Sequence, residues 1–226
     1  MLQDVLHLFL PHYCCGCSTL LLQQEDLLCV SCRTFLPFTD QHCHTPNEAL
    51  NKFYGKVKIN HASCMLYYTK EGIVSRLLHQ LKYNNQPKIS YTLGRMYAEL
   101  LAETAHLDTV DYLIPVPMHK RKQRQRGYNQ VDGFADALAY YFGIPVNRTL
   151  LTKITHTPSQ TTKTFQERIK TKITTFYLGD SSSFIGKHLL LLDDILTTGS
   201  TLETCAKLLL QIPGCKVSIL CLAYTK

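Results

Sequence analysis

Apolar and polar positions along the chain alternate between helical spacing and short apolar runs. Apolar residues three and four positions apart predict helices over 72–83, 93–103, 130–142 and 201–210. Short apolar runs bounded by polar residues or prolines predict strands over 65–69, 112–116, 189–192 and 217–223. Strands that alternate with helices are typical of an α/β fold built by right-handed crossovers. We therefore expect a mostly parallel sheet flanked by helices.

The first part of the chain is rich in cysteine and follows no such pattern. Residues 1–45 hold six of the ten cysteines. Four of them form two Cys-x₂-Cys pairs: Cys14, Cys17, Cys29 and Cys32. Two such pairs can place four thiolates tetrahedrally around Zn²⁺. A segment this short needs a cross-link such as a bound metal ion to fold. We predict a zinc-ribbon-like module over 1–45 with a structural zinc, a polar linker at 39–47, and an α/β domain over 60–226.

Other residues leave the set of metal ligands open. Cys15 is a rival for Cys14, although the spacing Cys15-x-Cys17 is less favourable. Cys43 and His44 are near enough in sequence to join the site. The remaining cysteines fall in apolar patterns and are expected in the core: Cys64, Cys205, Cys215 and Cys221.

The positive charge of the chain is concentrated in one region. The formal net charge is +7, but residues 1–45 carry one basic and four acidic residues. Residues 112–172 carry 11 basic and three acidic residues. A local positive field favours anionic ligands such as phosphate, pyrophosphate or nucleic acid. A basic face that serves only solubility is the alternative.

The N-terminal residues and the hydropathy of the chain predict where in the cell the protein lies. The first basic residue is Arg33, so the positively charged start of a signal peptide is missing. No apolar run approaches the roughly 18 residues that a membrane span needs. We expect a cytoplasmic protein whose cysteines stay reduced, because thiols are kept reduced in that compartment.

The most informative run joins the apolar stretch at 189–192 to a polar turn. Asp193 and Asp194 follow the predicted strand, and four of the next seven residues carry hydroxyl groups. Gly199 lets the backbone approach a ligand closely, and the helix that follows offers free N–H groups to a phosphate. The carboxylates suit sugar hydroxyls or hydrated Mg²⁺. A nucleotide-binding P-loop fits poorly, because no Gly-Lys-Ser/Thr is present.

A second polar run lies after the predicted strand at 112–116. Residues 120–126 hold five basic side chains, and we predict a flexible basic loop there. Arginine can place two N–H groups on one phosphate, so the loop suits pyrophosphate or a nucleic-acid backbone. Tyr128 could stack on a base, and His119 is a further candidate phosphate contact. An exposed loop without a ligand is the alternative.

The run 189–201 resembles the motif of the phosphoribosyltransferases that binds 5-phosphoribosyl-1-pyrophosphate (PRPP). The resemblance implies that Asp193 and Asp194 are the catalytic pair, holding the ribose hydroxyls and the shell of a Mg²⁺ ion. It also implies a set of residues around the 5′-phosphate: Thr197, Thr198, Gly199, Ser200 and Thr201.

The second run narrows the resemblance to one family. Pro-Val-Pro-x-His at 115–119, followed by Arg-x-x-x-x-Arg-Gly-Tyr-Asn-Gln at 121–130, resembles the ComF family of competence proteins, which are similar to phosphoribosyltransferases and carry an N-terminal zinc module. Further matches are Leu81-Lys82-Tyr83, Ser159-Gln160-Thr161, Glu167-Arg168 and Phe176. Thr171 stands where the family usually has Asn. The candidates for pyrophosphate or DNA-backbone contact are His119, Arg121, Arg124, Arg126 and Tyr128.

The resemblance implies two kinds of function. In the first, PRPP and Mg²⁺ bind, the C1′–pyrophosphate bond breaks through an oxocarbenium-like state, and an acceptor takes the ribosyl carbon. In the second, the chain is a binding module that senses PRPP or binds the phosphates of DNA without turnover. The family implies handling of single-stranded DNA in natural transformation, at the cytoplasmic face of a DNA-uptake channel.

Overall fold

The computed structural model describes residues 12–155 and 174–226. The strands of these residues are β1 Ala62–Tyr67, β2 Tyr112–Pro115, β3 Leu151–Thr155, β4 Thr174–Leu178, β5 His188–Leu196 and β6 Lys216–Tyr224. The α-helices are α1 Val30–Thr34, α2 Glu48–Asn51, α3 Ile73–Tyr83, α4 Lys88–Leu101, α5 Lys120–Arg126, α6 Asp132–Phe142 and α7 Ser200–Leu209. None of the helices within the described residues has the length and apolar content that crossing a bilayer requires.

Four strands form one parallel sheet in the order β1-β6-β5-β2, which confirms the predicted sheet. β3 and β4 pair separately and antiparallel, and the apolar pattern did not reveal them. The side chains of β5 alternate between two apolar clusters. Leu190 and Leu192 pack with α3, α4 and α6, whereas Leu189 and Leu191 pack with α7. A central strand covered on both faces explains the uninterrupted apolar run.

The predicted helices are all present, with shifted ends. α4 begins at Lys88, earlier than predicted, because Ile89 and Ser90 already face the core. α6 ends where predicted, at Gly143, which adopts φ +70° and so closes the helix in the left-handed region.

The predicted basic loop is wrong, because residues Lys120–Arg126 form the helix α5. Lysine, arginine and glutamine all favour helix, and this propensity decides a segment that buries no side chain. His119 caps the start, where its Nδ1 accepts a hydrogen bond from the Arg121 N–H at 3.1 Å. Gly127 ends the helix at φ +82°.

The predicted linker at 39–47 is also wrong, because this stretch is folded against β1. The Thr39 N–H donates to the Met65 carbonyl at 3.0 Å. The side-chain amide of Asn47 donates to the Ala62 carbonyl at 2.9 Å. These hydrogen bonds satisfy edge groups of the sheet, so the polar residues here serve structure rather than flexibility.

The cysteine-rich segment packs directly on the α/β part. Its apolar side chains, among them Leu27, Leu28 and Leu36, belong to the same apolar cluster as the core side chains of α3. The Arg76 Nε of α3 donates to the Gly16 carbonyl. One continuous core therefore joins the two parts of the chain.

Candidate functional site

The two adjacent carboxylates lie at the open carboxyl end of β5. β2 ends at Pro115, opposite Leu192, and the Val116 N–H closes this pairing with a 2.8 Å hydrogen bond to the Leu192 carbonyl. Among the described strands, β5 pairs beyond this point only with β6. Asp193 and Asp194 therefore stand where one side of the strand is open, at the edge where parallel sheets bind ligands.

Asp193 and Asp194 point to opposite faces of the sheet, because side chains alternate along a strand. Asp194 lies on the α3 face, where its Oδ2 is 2.6 Å from the Lys82 Nζ. Asp193 lies on the α7 face, and its Oδ1 accepts a hydrogen bond from the Asp194 N–H at 2.9 Å. Burial, and secondly the Asp194 carboxylate, raise the pKa of Asp193 to about 7. A bound cation would favour its charged form.

The chain turns sharply after β5 and enters α7. Gly199 adopts φ +80°, and a Cβ placed there would lie 3.2 Å from the Phe53 Cε1. The hydroxyl side chains around it are exposed: Thr197, Thr198, Ser200 and Thr201. The N-cap residue of α7 is Gly199, which has no side chain, and in the first turn the Ser200 N–H donates a long hydrogen bond of 3.4 Å to the Thr198 Oγ1. We call residues 193–201 the phosphate loop, since free N–H groups at a helix N-terminus bind anions.

The donor atoms near the phosphate loop fit Mg²⁺ only in part. Carboxylate oxygens are suitable ligands, but the two side chains diverge to opposite faces and Asp194 is already paired with Lys82. Mg²⁺ in proteins commonly takes one or two carboxylates and completes its shell with water and substrate phosphates. The site therefore suits an ion that arrives with a phosphorylated ligand.

A cleft of about 770 Å³ lies between the end of α3 and helix α5. We call it the basic cleft. Its lining residues are Lys82, Tyr83, Asn85, Lys122, Arg124, Gln125, Arg126, Gly127 and Tyr128. Four of these are cationic and none is a carboxylate. Arg121 lies on the same helix, exposed, outside this lining. The cleft therefore favours phosphate groups, and it contains Lys82, the partner of Asp194.

The two tyrosines of the basic cleft differ in how exposed their rings are. Tyr128, the ring predicted to stack on a base, is half-buried, and its hydroxyl donates to the Leu81 carbonyl. Burial raises the pKa of this hydroxyl. Tyr83 is 67% exposed, and the Arg126 guanidinium carbon lies 5.3 Å from its ring centroid. Tyr83 is the better placed ring for a base, a role that the sequence did not suggest.

The four predicted metal ligands come together. The sulfur atoms of Cys14, Cys17, Cys29 and Cys32 all lie within 4.8 Å of one another. The Cys17 and Cys29 Sγ atoms are 3.7 Å apart. Zinc bonds of about 2.3 Å in a tetrahedron require sulfur atoms about 3.8 Å apart, so the cluster could hold this ion.

The structure also decides between the rival cysteines. Cys14, not Cys15, belongs to the cluster, where its Sγ accepts hydrogen bonds from the Gly16 N–H at 3.4 Å and the Cys29 N–H at 3.3 Å. Cys43 lies outside the cluster, in a 3₁₀ helix over Gln41–Cys43. A Cβ on Gly16 would lie 2.9 Å from the Cys32 Sγ, so the glycine between the first pair allows close packing of the thiolates.

Comparison with known proteins agrees with this geometry. Residues 133–226 match the phosphoribosyl transferase domain. Competence protein F of Haemophilus influenzae is 28% identical over 211 residues, which cover 92% of this chain and 88% of that protein. DNA utilization protein YhgH of Escherichia coli O157:H7 is 30% identical over 158 residues, 67% of each. The chain belongs to the ComF family of phosphoribosyltransferase-like proteins.

Membership of the ComF family confirms the resemblance inferred from the two sequence runs. A purine phosphoribosyltransferase of Pyrococcus horikoshii has a TM-score of 0.41 at 17% identity, covering 59% of this chain and 75% of that one, and this likeness adds nothing to the assignment. Phe176 is buried in β4. Five family-like positions and the departure at Thr171 lie outside the described residues: Ser159, Gln160, Thr161, Glu167 and Arg168.

Proposed function

We propose that this ComF-family protein binds PRPP together with Mg²⁺ in the phosphate loop. The observation that carries the proposal is the continuity of the loop. One strand brings two carboxylates to the carboxyl edge of the sheet and passes through exposed hydroxyl groups into the first turn of α7. The 5′-phosphate fits the turn, and the ribose hydroxyls fit the carboxylates of Asp193 and Asp194.

In this proposal the residues act by position and charge rather than by covalent chemistry. Thr197, Thr198 and the N–H groups that follow Gly199 hold the phosphate. Asp193 and Asp194 orient the ribose, Asp194 would also hold the metal ion, and the metal would neutralise charge at the pyrophosphate.

A thermal-shift experiment tests PRPP binding. A ligand at about 100 times its dissociation constant adds roughly 2.7 kcal/mol of stability, which is a shift on the order of 5–10 °C for a chain of this size. Changing Asp193 and Asp194 together to Asn should remove most of the shift. Ribose 5-phosphate with Mg²⁺ is the matched control ligand, because it lacks the pyrophosphate. An unchanged shift in the double variant would overturn the assignment of the loop.

A second function is supported by the basic cleft, which combines four cations with an exposed ring. We propose that it binds the backbone of single-stranded DNA. The names of the relatives, competence protein and DNA utilization protein, support this assignment. Contact with the cytoplasmic face of a DNA-uptake channel belongs to the same proposal. Release of pyrophosphate from PRPP, measured with and without single-stranded DNA, distinguishes a transferase from a binding module.

We also propose that the four-cysteine cluster holds a structural Zn²⁺. Reduced protein should contain about one zinc per chain, and chelation should lower the melting temperature. Cys29→Ser should reproduce the loss, whereas Cys43→Ser, outside the cluster, should not. Reduced protein with less than about a tenth of an equivalent of zinc would contradict the assignment.

A further inference from the structure

Lys82 lies where the phosphate loop meets the basic cleft. Its Nζ pairs with the Asp194 Oδ2 at 2.6 Å, and its side chain also lines the cleft. The Lys82 side chain is 25% exposed and that of Asp194 is 11% exposed, so solvent screens the pair only in part. One flexible side chain thus borders two sites that both suit phosphate.

We propose that Lys82 couples the two sites, pairing with Asp194 while the phosphate loop is empty and joining the basic cleft when Mg²⁺ and PRPP occupy the loop. The proposal rests on the function proposed above for the loop. It makes PRPP a positive effector of the binding of single-stranded DNA. Lys82 is then a positioning residue for the second ligand rather than a catalytic group.

The first step of the argument concerns the ion pair. A divalent cation that takes Asp194 as a ligand removes the negative charge that holds the ammonium group and repels it. A charged amine left without a partner in a partly buried place is costly, so Lys82 must move to another anion or to water. Its four-carbon stem allows this motion without a change in the backbone.

The second step concerns the destination. The basic cleft offers open space beside Lys122, Arg124 and Arg126, and none of its described lining residues is a carboxylate that would compete for the ammonium. No carboxylate of the described residues makes an ion pair with any of these three side chains. In the empty protein Asp194 neutralises Lys82, so three cations of the cleft face a DNA backbone. Release of Lys82 adds a fourth.

The experiment measures the affinity of wild-type protein for a fluorescent oligo(dT) strand at constant Mg²⁺, with and without PRPP. We expect PRPP to raise the affinity at least about fivefold, the lower end of common coupling between sites. One additional phosphate contact should steepen the salt dependence of log affinity by about 0.7. Because coupling is reciprocal, oligo(dT) should raise the affinity for PRPP by the same factor.

Three variants separate the coupling from the charge of the cleft. Lys82→Met should bring the effect of PRPP on DNA affinity close to none and leave the salt slope unchanged by PRPP. Lys122→Met removes a charge from the same cleft but no partner of Asp194, so it should weaken DNA binding while keeping the ratio with and without PRPP. Lys82→Arg, which keeps both the pair and the charge, should retain part of the coupling.

Each outcome decides the proposal. If PRPP does not stabilise wild-type protein, the proposed function of the loop fails and the coupling fails with it. If PRPP stabilises the protein but leaves DNA affinity unchanged, only the coupling is wrong. A fall in DNA affinity on adding PRPP would mean that the pyrophosphate group itself occupies the cleft, which also overturns the proposal. The wild-type measurement stands even if Lys82→Met fails to fold.

Discussion

The phosphate loop and the basic cleft both suit phosphate, but the fold holds them in different ways. The loop is fixed by buried neighbours, since Gly199 packs against Phe53 at the end of a fully covered strand. Helix α5 of the cleft buries no side chain. Two contacts next to it position the segment, the Tyr128 hydroxyl on the Leu81 carbonyl and the Asn129 amide on the Val116 carbonyl.

This difference indicates two modes of binding. A loop fixed by the core recognises one shape through aligned N–H groups. A surface helix with cationic side chains recognises charge and tolerates varied sequence. Changes that strain the backbone should therefore affect the loop most, whereas changes in charge and salt should affect the cleft most.

The largest expected effect comes from a matched pair of glycines. Gly199 and Gly127 have nearly equal φ, +80° and +82°, but a Cβ at Gly127 has nothing within 4 Å. Alanine at either site costs about 1–2 kcal/mol of backbone strain. At Gly199, crowding against Phe53 adds about 1–3 kcal/mol. Gly199→Ala should lower the melting temperature clearly more than Gly127→Ala and abolish the PRPP shift. Equal melting temperatures would contradict a packed loop.

Salt should separate the two regions next. If, with PRPP bound, all four cations of the basic cleft each contact one phosphate of a single strand, the slope of log affinity on log salt is about −2.8. About a fourfold rise in salt then weakens DNA binding by roughly 50-fold. Arg124→Ala with Arg126→Ala should flatten the slope by about 1.4 and leave the PRPP thermal shift in place. Loss of PRPP binding in this variant would instead place the helix over the pyrophosphate.

A smaller effect distinguishes the two rings of the basic cleft. Tyr83→Ala should weaken binding of single-stranded DNA by about 1–3 kcal/mol if a base stacks on this exposed ring. Tyr128→Phe keeps the half-buried ring and removes the hydrogen bond to Leu81. It should cost about 1 kcal/mol of stability with little change in DNA affinity. Fluorescence anisotropy measures DNA affinity, and thermal melting measures stability. If Tyr83→Ala leaves DNA affinity unchanged and Tyr128→Phe weakens it, Tyr128 is the stacking residue.

The smallest effect is a pH dependence in the phosphate loop. The pKa of Asp193 is raised from 3.8 to about 7, so the folded protein keeps a proton that the unfolded chain releases. The stabilisation from this group is present at low pH and is lost as pH rises from about 4 through 7. Because Mg²⁺ favours the charged carboxylate, the PRPP shift should grow over the same range.

Asp193→Asn tests this dependence by comparison with wild-type melting temperatures between about pH 5.5 and pH 8. The melting temperature of wild type should fall steadily relative to that of Asp193→Asn as pH rises. His61, whose pKa burial lowers to about 4, contributes with the opposite sign, but it is present in both proteins and cancels. A difference that does not change with pH would show that Asp193 is ionised throughout the range.

The sequence by itself determined the features that depend on neighbours along the chain. Helical spacing and the apolar run of β5 identified the central elements, because burial imposes its period on each segment separately. The phosphate loop could be predicted because its residues are contiguous. The Cys-x₂-Cys spacing is likewise local, and it predicted the cluster that the sulfur atoms of Cys14, Cys17, Cys29 and Cys32 form in the fold.

Only the tertiary structure decided which distant segments meet. No local signal links Lys82 at the end of α3 to Asp194 on β5, because their ion pair depends on how a helix crosses the sheet. The polar stretch at 39–47 carries a composition typical of a linker, but the hydrogen-bonding groups of the β1 edge give it a folded role. The sequence favoured Tyr128 as the stacking ring, but packing half-buries Tyr128 and leaves Tyr83 exposed. The pattern of apolar and polar residues along a chain indicates whether a side chain is buried. The partner of a buried or charged group is set by the packing of the whole fold.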